Sequence, residues 1–176
     1  MKWFIASDIH GSFYYAQKMV DSFKKEKADK MLLLGDILYH GPRNDLPRDY
    51  DPKKVISLLN EIKEHILCVR GNCDAEVDQM VLEFPIMADY VMINECNVSI
   101  FATHGHNFNE YNLPPVNFDV LLNGHTHIPK NTNHQNYTYI NPGSVSIPKE
   151  NSHHGYVIFE NGHFSFYDFE GNTINI

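Results

Sequence analysis

The stretch Trp3-Phe4-Ile5-Ala6-Ser7-Asp8-Ile9-His10-Gly11-Ser12 decides how the rest of the chain reads. Four apolar residues make a short buried strand, Ser7 to Gly11 a polar turn, and Ser12 the N-cap of a helix. In that helix Ala16, Met19, Val20 and Phe23 recur at i, i+3, i+4 and i+7, and Lys24-Lys25-Glu26-Lys27 gives it a charged end that favours the helix dipole. Met31-Leu32-Leu33-Leu34 is a second buried strand, ending at Gly35-Asp36. Strand, helix and strand predict a parallel pair joined by a right-handed crossover. Asp8 and His10 then leave a strand end two residues apart, where a carboxylate and an imidazole can turn to one point and suit a borderline cation. By itself the tripeptide reads equally as a polar loop, so its meaning depends on what else converges there.

Residues 37–51 form a loop rich in Pro, Arg, Asp and Tyr. Asp51-Pro52 reads as N-cap and N1 of a second helix with Val55, Leu59 and Ile62 on its core face. Ile66-Leu67-Cys68-Val69 is a third buried strand, followed by Arg70-Gly71-Asn72-Cys73-Asp74, with Asp74 read as the cap of a short following helix. Beyond Phe84-Pro85, strand-like runs at 87–93 and 97–103 predict a hairpin about Asn94-Glu95-Cys96, its second arm ending at Thr103-His104-Gly105-His106. Val120-Leu121-Leu122 leads to Asn123-Gly124-His125-Thr126-His127, and Tyr137–Ile140 to Asn141-Pro142-Gly143-Ser144. Tyr156–Glu160 and His163–Phe169 flank Asn161-Gly162, a tight hairpin. One half is β-α-β-α-β, the other mostly β, and no linker divides them. The expectation is a single domain over 1–176, an α/β sandwich of two sheets with helices outside. Polar loops at the carboxyl ends of parallel strands make the ligand edge of such a sheet.

The chain has 176 residues, enough for a sizeable core, and 43% apolar residues, which excludes a disordered chain. A formal charge of −8 argues against nucleic-acid backbones and anionic membranes, although bound cations can reverse the field locally. Three cysteines without a CxxC spacing fit a reducing compartment. No signal peptide and no apolar run of membrane-spanning length are visible, so a cytoplasmic location is expected.

Asp8, His10, Asp36, Asn72, His104, His125 and His127 all follow predicted strands. Two carboxylates, an amide oxygen and four imidazoles exceed what one tetrahedral cation needs and suit two adjacent cations with one carboxylate between them. Two divalent ions, two aspartates and a bridging hydroxide leave a net single positive charge, which attracts a phosphodiester monoanion. The chemistry expected is in-line attack of that metal-bridging hydroxide on phosphorus, with no protein base required.

The order D-x-H, G-D, G-N, H-G-H and G-H-T-H, present as Asp8/His10, Gly35-Asp36, Gly71-Asn72, His104-Gly105-His106 and Gly124-His125-Thr126-His127, resembles the calcineurin-like metallophosphoesterases. The similarity is greatest to the small bacterial phosphodiesterases of the YfcE group. Their fuller strings look like His40-Gly41-Pro42-Arg43-Asn44, Arg70-Gly71-Asn72-Cys73-Asp74 and Asn141-Pro142-Gly143-Ser144-Val145-Ser146-Ile147-Pro148-Lys149. The resemblance implies an α/β/β/α sandwich, a phosphoric diester hydrolase and a homodimer. It implies that Asp8, His10 and His127 hold one metal, that Asn72, His104 and His125 hold the other, and that Asp36 bridges. It also implies two divalent ions, Mn²⁺ most often, with Fe, Zn or Ni as alternatives. Many family members place a His after the Gly-Asn as the acid that protonates the leaving oxygen; here that position is Cys73. A thiol hydrogen-bonds poorly, so weak acid help and a preference for esters with acidic leaving groups are expected. Asn72, Cys73 and His106 are the residues expected beside the reacting phosphate, and Arg43 reads either as a phosphate contact or as a solvated side chain. The loop at 37–51 and the segment 106–118 are expected to shape the pocket.

The partner expected is a small phosphodiester. A phosphomonoesterase or a nuclease is the nearest alternative, and the lack of a basic, aromatic-interleaved groove disfavours a dedicated nucleic-acid partner. From another class comes a non-catalytic scaffold of the same fold, such as a retromer subunit that lacks part of the ligand set. A metal-storage role for a chain with eleven histidines predicts binding without turnover.

Overall fold

The computed structural model describes residues 1–176. Strand β1 (Trp3–Ala6) leads to helix α1 (Phe13–Glu26), β2 (Lys30–Leu33), α2 (Pro52–Asn60), β3 (Ile66–Cys68) and the one-turn α3 (Glu76–Gln79). The second half holds β4 (Tyr90–Glu95), β5 (Val98–Thr103), β6 (Val120–Leu122), β7 (Pro129–Asn133) and β8 (Thr138–Pro142). The chain ends in β9 (Gly155–Glu160), β10 (His163–Asp168) and β11 (Thr173–Ile174).

Two mixed sheets result. One has the order β11-β10-β9-β1-β2-β3 and the other β4-β5-β6-β8-β7. In the first, β1, β2 and β3 are parallel, as the β-α-β reading requires, and β9 runs antiparallel along the other side of β1. The apolar runs of the parallel strands are continuous because both faces are covered. Phe4, Ala6, Met31, Leu33 and Cys68 point to a core beneath α1 and α2. Ile5, Leu32, Leu34 and Val69 point the other way, against Ile100, Ala102, Val120, Leu122 and Ile140 of the second sheet.

Local chemistry sets the helix ends. Ser12 Oγ accepts the Tyr15 amide at 3.4 Å and donates to the Arg48 carbonyl at 2.6 Å, capping α1 and tying it to the long loop. Asp51 Oδ1 accepts the Lys54 amide at 3.2 Å at the start of α2, with Pro52 at N1. α2 ends at Asn60, so Ile62 joins the core from the turn beyond it and not from the helix face expected for it.

Several details depart from the sequence reading. Asn94 and Glu95 belong to β4, paired with Ser99 and Val98, because the turn residues are Cys96 and Asn97, both left-handed at φ 54° and 60°. β7 has the polar sequence Pro-Lys-Asn-Thr-Asn, which an edge strand tolerates and a periodicity search passes over. The outer face of the second sheet carries no helix. Phe101, Leu121 and Tyr139 are instead covered by Phe108, Phe118 and Tyr137, so 106–118 is a lid on that face and lines no part of the main cleft. No helix is long and apolar enough to cross a membrane.

Candidate metal centre

Three strand-end loops of the first sheet and two of the second meet at one edge. The β1 loop is zipped to the β2 loop beyond the sheet itself: Asp8 N–H donates to Gly35 O at 3.1 Å, His10 N–H to Asp36 O at 2.9 Å and Gly11 N–H to Ile37 O at 2.8 Å. To turn inward within this ladder, Asp8, His10, Asp36, His125 and His127 all adopt left-handed backbone, with φ between 49° and 67°. Asp and His tolerate this region better than most side chains, yet each such residue costs on the order of 1 kcal/mol.

The motif glycines are packing requirements. A Cβ on Gly71 would overlap Asp36 Oδ1 and the Asp36 amide, and one on Gly124 would overlap Ser7 Oγ. These loops therefore touch backbone to carboxylate, which only glycine allows.

Asp74 does not cap α3, whose N-cap is Ala75. Its buried carboxylate accepts the amides of Asp36 at 2.9 Å, Ile37 at 2.9 Å and Gly71 at 2.8 Å, and so clamps the β2 and β3 loops together. Burial pushes this acid above its usual range, and the amides of Ile37 and Gly71 pull it back. Asn141 and Ser144 are likewise scaffold. Asn141 bridges Gly124 O, Thr126 Oγ1 and the Gly143 amide, and Ser144 Oγ donates to Asp8 O at 2.8 Å.

The donor atoms form two groups. Asp8 Oδ1 stands 3.5 Å from His10 Nε2 and 3.2 Å from His127 Nε2, and those two nitrogens are 3.2 Å apart. His104 Nε2 stands 3.0 Å from Asn72 Oδ1 and 3.2 Å from His125 Nδ1. Asp36 Oδ2 lies between the groups, 3.7 Å from His10 Nε2 and 3.5 Å from His104 Nε2, while Asp36 Oδ1 accepts the Cys73 amide at 2.8 Å. Donors held at about 2.0–2.2 Å around one cation stand about 2.8–3.6 Å apart in octahedral or tetrahedral arrangements. The observed spacings match.

Hydrogen bonding fits a cation as well. His10, His104 and His127 each direct Nδ1 to a backbone carbonyl, of Tyr39 at 2.7 Å, Leu34 at 2.6 Å and Ile147 at 2.7 Å. A neutral ring with its proton on Nδ1 presents a bare lone pair at Nε2, the arrangement second-layer carbonyls impose on metal-binding histidines. Lone pairs of His10 and His127 then face each other, and Asp8 Oδ1 faces both while buried and without a hydrogen-bond partner. Asp8 and His104 are 0% exposed and Asp36 2%, so water cannot relieve them. Either protons or cations must sit there.

Without a cation, protons do. Burial opposes charge on His104, but the Asp36 and Asp8 carboxylates outweigh it and hold its imidazolium up to about 9. Burial likewise works against ionised Asp8, yet the His10 and His127 rings keep it well below the carboxylate range. Burial and the neighbouring His104 charge push His125 down to about 4.

A cleft of about 300 Å³ opens on this centre. Its walls include His10, Asp36, Asn72, Cys73, His125 and His127, and also Arg43, Asn44 and Lys149. Arg43 thus faces the site, whereas Asn44 and Lys149 were not singled out from sequence. Their motif strings carried the only signal. His106 stands beside the donors, its ring 5.4 Å from that of His104 and 6.2 Å from that of His125, and borders a neighbouring depression with Asp89, Thr103 and Asn112.

The whole arrangement is that of a metallophosphoesterase, and residues 1–162 match the calcineurin-like phosphoesterase superfamily domain; the chain belongs to that superfamily. It is 48% identical over 130 residues to the phosphodiesterase YfcE of Escherichia coli, covering 73% of this chain and 71% of the relative. A solved structure of YfcE, a phosphoesterase from E. coli, superposes with a TM-score of 0.96 at 42% identity, covering 99% of this chain and 97% of that one. Vacuolar protein sorting 29 from Cryptosporidium parvum shares the fold at 16% identity with a TM-score of 0.65, covering 98% and 94%.

Two outcomes are expected. Asp74→Asn places an amide N–H₂ against donors that now share two oxygens, so urea unfolding should show a loss of about 2–4 kcal/mol, together with weaker metal binding. Titration of Mn²⁺ into metal-free protein at pH 7.5, in buffers of different ionisation enthalpy, should release protons, from His10, whose pKa is raised, and above all the proton held on His104. Because that proton is already gone above a pKa of about 9, release should fade as pH rises through it. No release at pH 7.5 would contradict the protonated cluster.

Proposed function

We propose that this chain is a metal-dependent phosphodiesterase with a binuclear centre, acting on a small diester by in-line displacement at phosphorus. Asp8, His10 and His127 hold one cation, Asn72, His104 and His125 the other, and Asp36 both. The observation that carries the reading is Asp36 Oδ2, buried between the two donor groups while its partner oxygen is committed to the Cys73 amide. Diester chemistry is supported by the activity in the name of the 48% identical E. coli relative. Bound there, two divalent cations supply an activated water and neutralise the phosphoryl oxygens. Manganese suits the mixed N/O donor set, as do Fe, Zn and Ni.

The protein's own contribution is positioning and charge. The Tyr39, Leu34 and Ile147 carbonyls fix three rings before any ligand arrives, and the Asp74 clamp fixes Asp36. Preorganisation of this kind lowers the reorganisation that the reaction would otherwise demand. The Cys73 thiol lines the cleft, and burial with the Asp36 carboxylate pushes it far above the usual thiol range. A thiol is also a poor hydrogen-bond donor, and gives little help to a departing alkoxide. The leaving oxygen departs largely unassisted, so acidic leaving groups are favoured.

Hydrolysis of bis-p-nitrophenyl phosphate should require Mn²⁺, stop on chelation and fall at least about a hundredfold in Asp36→Asn. No metal-dependent turnover, with Asp36→Asn indistinguishable from wild type, would leave the binding scaffold standing. Across a series of diesters kcat should drop steeply as the leaving alcohol becomes less acidic, and Cys73→His should recover alkyl esters most. A flat series with chemistry rate-limiting would overturn the role given to Cys73.

A further inference from the structure

The rim of the cleft differs from its floor. Asp8, Asp36 and His104 are buried, whereas Arg43 and Lys149 are exposed side chains bordering the same cavity. Neither cation has an acidic partner or a side-chain hydrogen bond, unlike Lys2, Lys18, Lys54, Lys63 and Lys130, each paired with a carboxylate. Their backbones are nevertheless fixed. Arg43 lies in a turn in which the Asn44 side chain donates to His40 O at 2.8 Å. Lys149 donates its N–H to the carbonyl of His127 at 3.1 Å, and its own carbonyl accepts Ser152 Oγ at 2.6 Å. Two unpaired cations, one held by the long loop and one by the backbone carbonyl of His127, itself a candidate metal donor, face one opening in a protein of net charge −8.

Cations at the donor groups would neutralise the scissile phosphate, which leaves Arg43 and Lys149, on the wall of the same cavity, for what is attached to it. Cys73 and Pro42 are the only lining residues that are neither polar nor glycine, and no Phe, Tyr or Trp is among them, so the cleft offers no broad apolar or stacking face to a base or an acyl chain. A volume of about 300 Å³ limits the occupant to a small molecule. We propose, resting on the phosphodiesterase reading, that Arg43 and Lys149 select small diesters carrying a second anionic group, a carboxylate or a phosphate, on the alcohol that stays with phosphorus. Arg43 suits either group as a planar donor and Lys149 as a point charge.

The test keeps the leaving group constant. In Mn²⁺-loaded full-length protein, kcat/KM is compared for p-nitrophenyl esters of ethyl, choline, 2-carboxyethyl and 2-phosphonooxyethyl phosphate. The two anionic substituents should exceed ethyl by at least about tenfold, choline should fall below ethyl, and added salt should compress the spread. The carboxylate and phosphate arms tell which group is preferred. The double variant Arg43→Gln/Lys149→Gln should collapse the series to within about twofold of ethyl while its metal content is unchanged. A flat series in the wild type, or one that survives in the double variant, overturns the proposal. If no ester is hydrolysed, the phosphodiesterase reading fails separately. Calorimetry with 2-carboxyethyl phosphate against ethyl phosphate then decides this one: tighter binding of the former, lost in the double variant, supports it, and equal binding overturns it.

Discussion

Asp8 Oδ1 and the Nε2 atoms of His10 and His127 converge within 3.5 Å of one another, and none of the three brings a proton when the rings are neutral. The same holds across Asp36 Oδ2, which faces His10 and His104. Burying carboxylates costs several kcal/mol each unless opposite charge compensates. Five residues in left-handed backbone add about 1 kcal/mol apiece. An arrangement this costly persists only where the surrounding structure over-determines it, and where a ligand that binds only the folded chain stabilises it.

The over-determination comes from backbone, in two parts. The ladder of β1 and β2 continues past the strands as the Asp8–Gly35, His10–Asp36 and Gly11–Ile37 bonds, so the two loops cannot splay. Asp74 then draws in the β3 loop by accepting three amides, and Ser144 and Ser146 hold the Asp8 carbonyl from the second sheet. Glycines stand where these loops meet because a Cβ at Gly71 or Gly124 would collide with the carboxylate side. Thus the motif residues divide into donors and the spacers that let the donors approach.

This rigid floor meets a polar rim. The floor is neutralised by whatever occupies the donor groups, but Arg43 and Lys149 keep their charge with no counter-ion from the protein. Asp8, Asp36 and His104 are buried, whereas Arg43 and Lys149 stay within reach of solvent. Salt screens the second far more than the first. The Cys73 thiol lies between the two regions, and its burial beside Asp36 weakens it as an acid.

Much of this was legible in the chain itself. The β-α-β unit, both helix caps and the seven donors follow from apolar period, cap chemistry and polar residues placed after strands, because these are local properties. What remained hidden depends on non-local pairing. The C-terminal hairpin carried no functional motif, yet β9 covers the second edge of β1 and makes that strand central. The polar edge strand β7 has no period to detect, and loop aromatics distant in the chain cover the outer face of the second sheet. The carbonyls that orient the histidines belong to Leu34, Tyr39 and Ile147, residues whose type says nothing of that role. Asp74 was read as a cap because carboxylates commonly precede helices, and only the meeting of the β2 and β3 loops gave it three amides instead. Sequence alone determined which candidate donors follow which strands and in what order along the chain. Tertiary structure decided which of them face one another and which cations remain unpaired at the rim, since both depend on backbone contacts between segments distant in the chain.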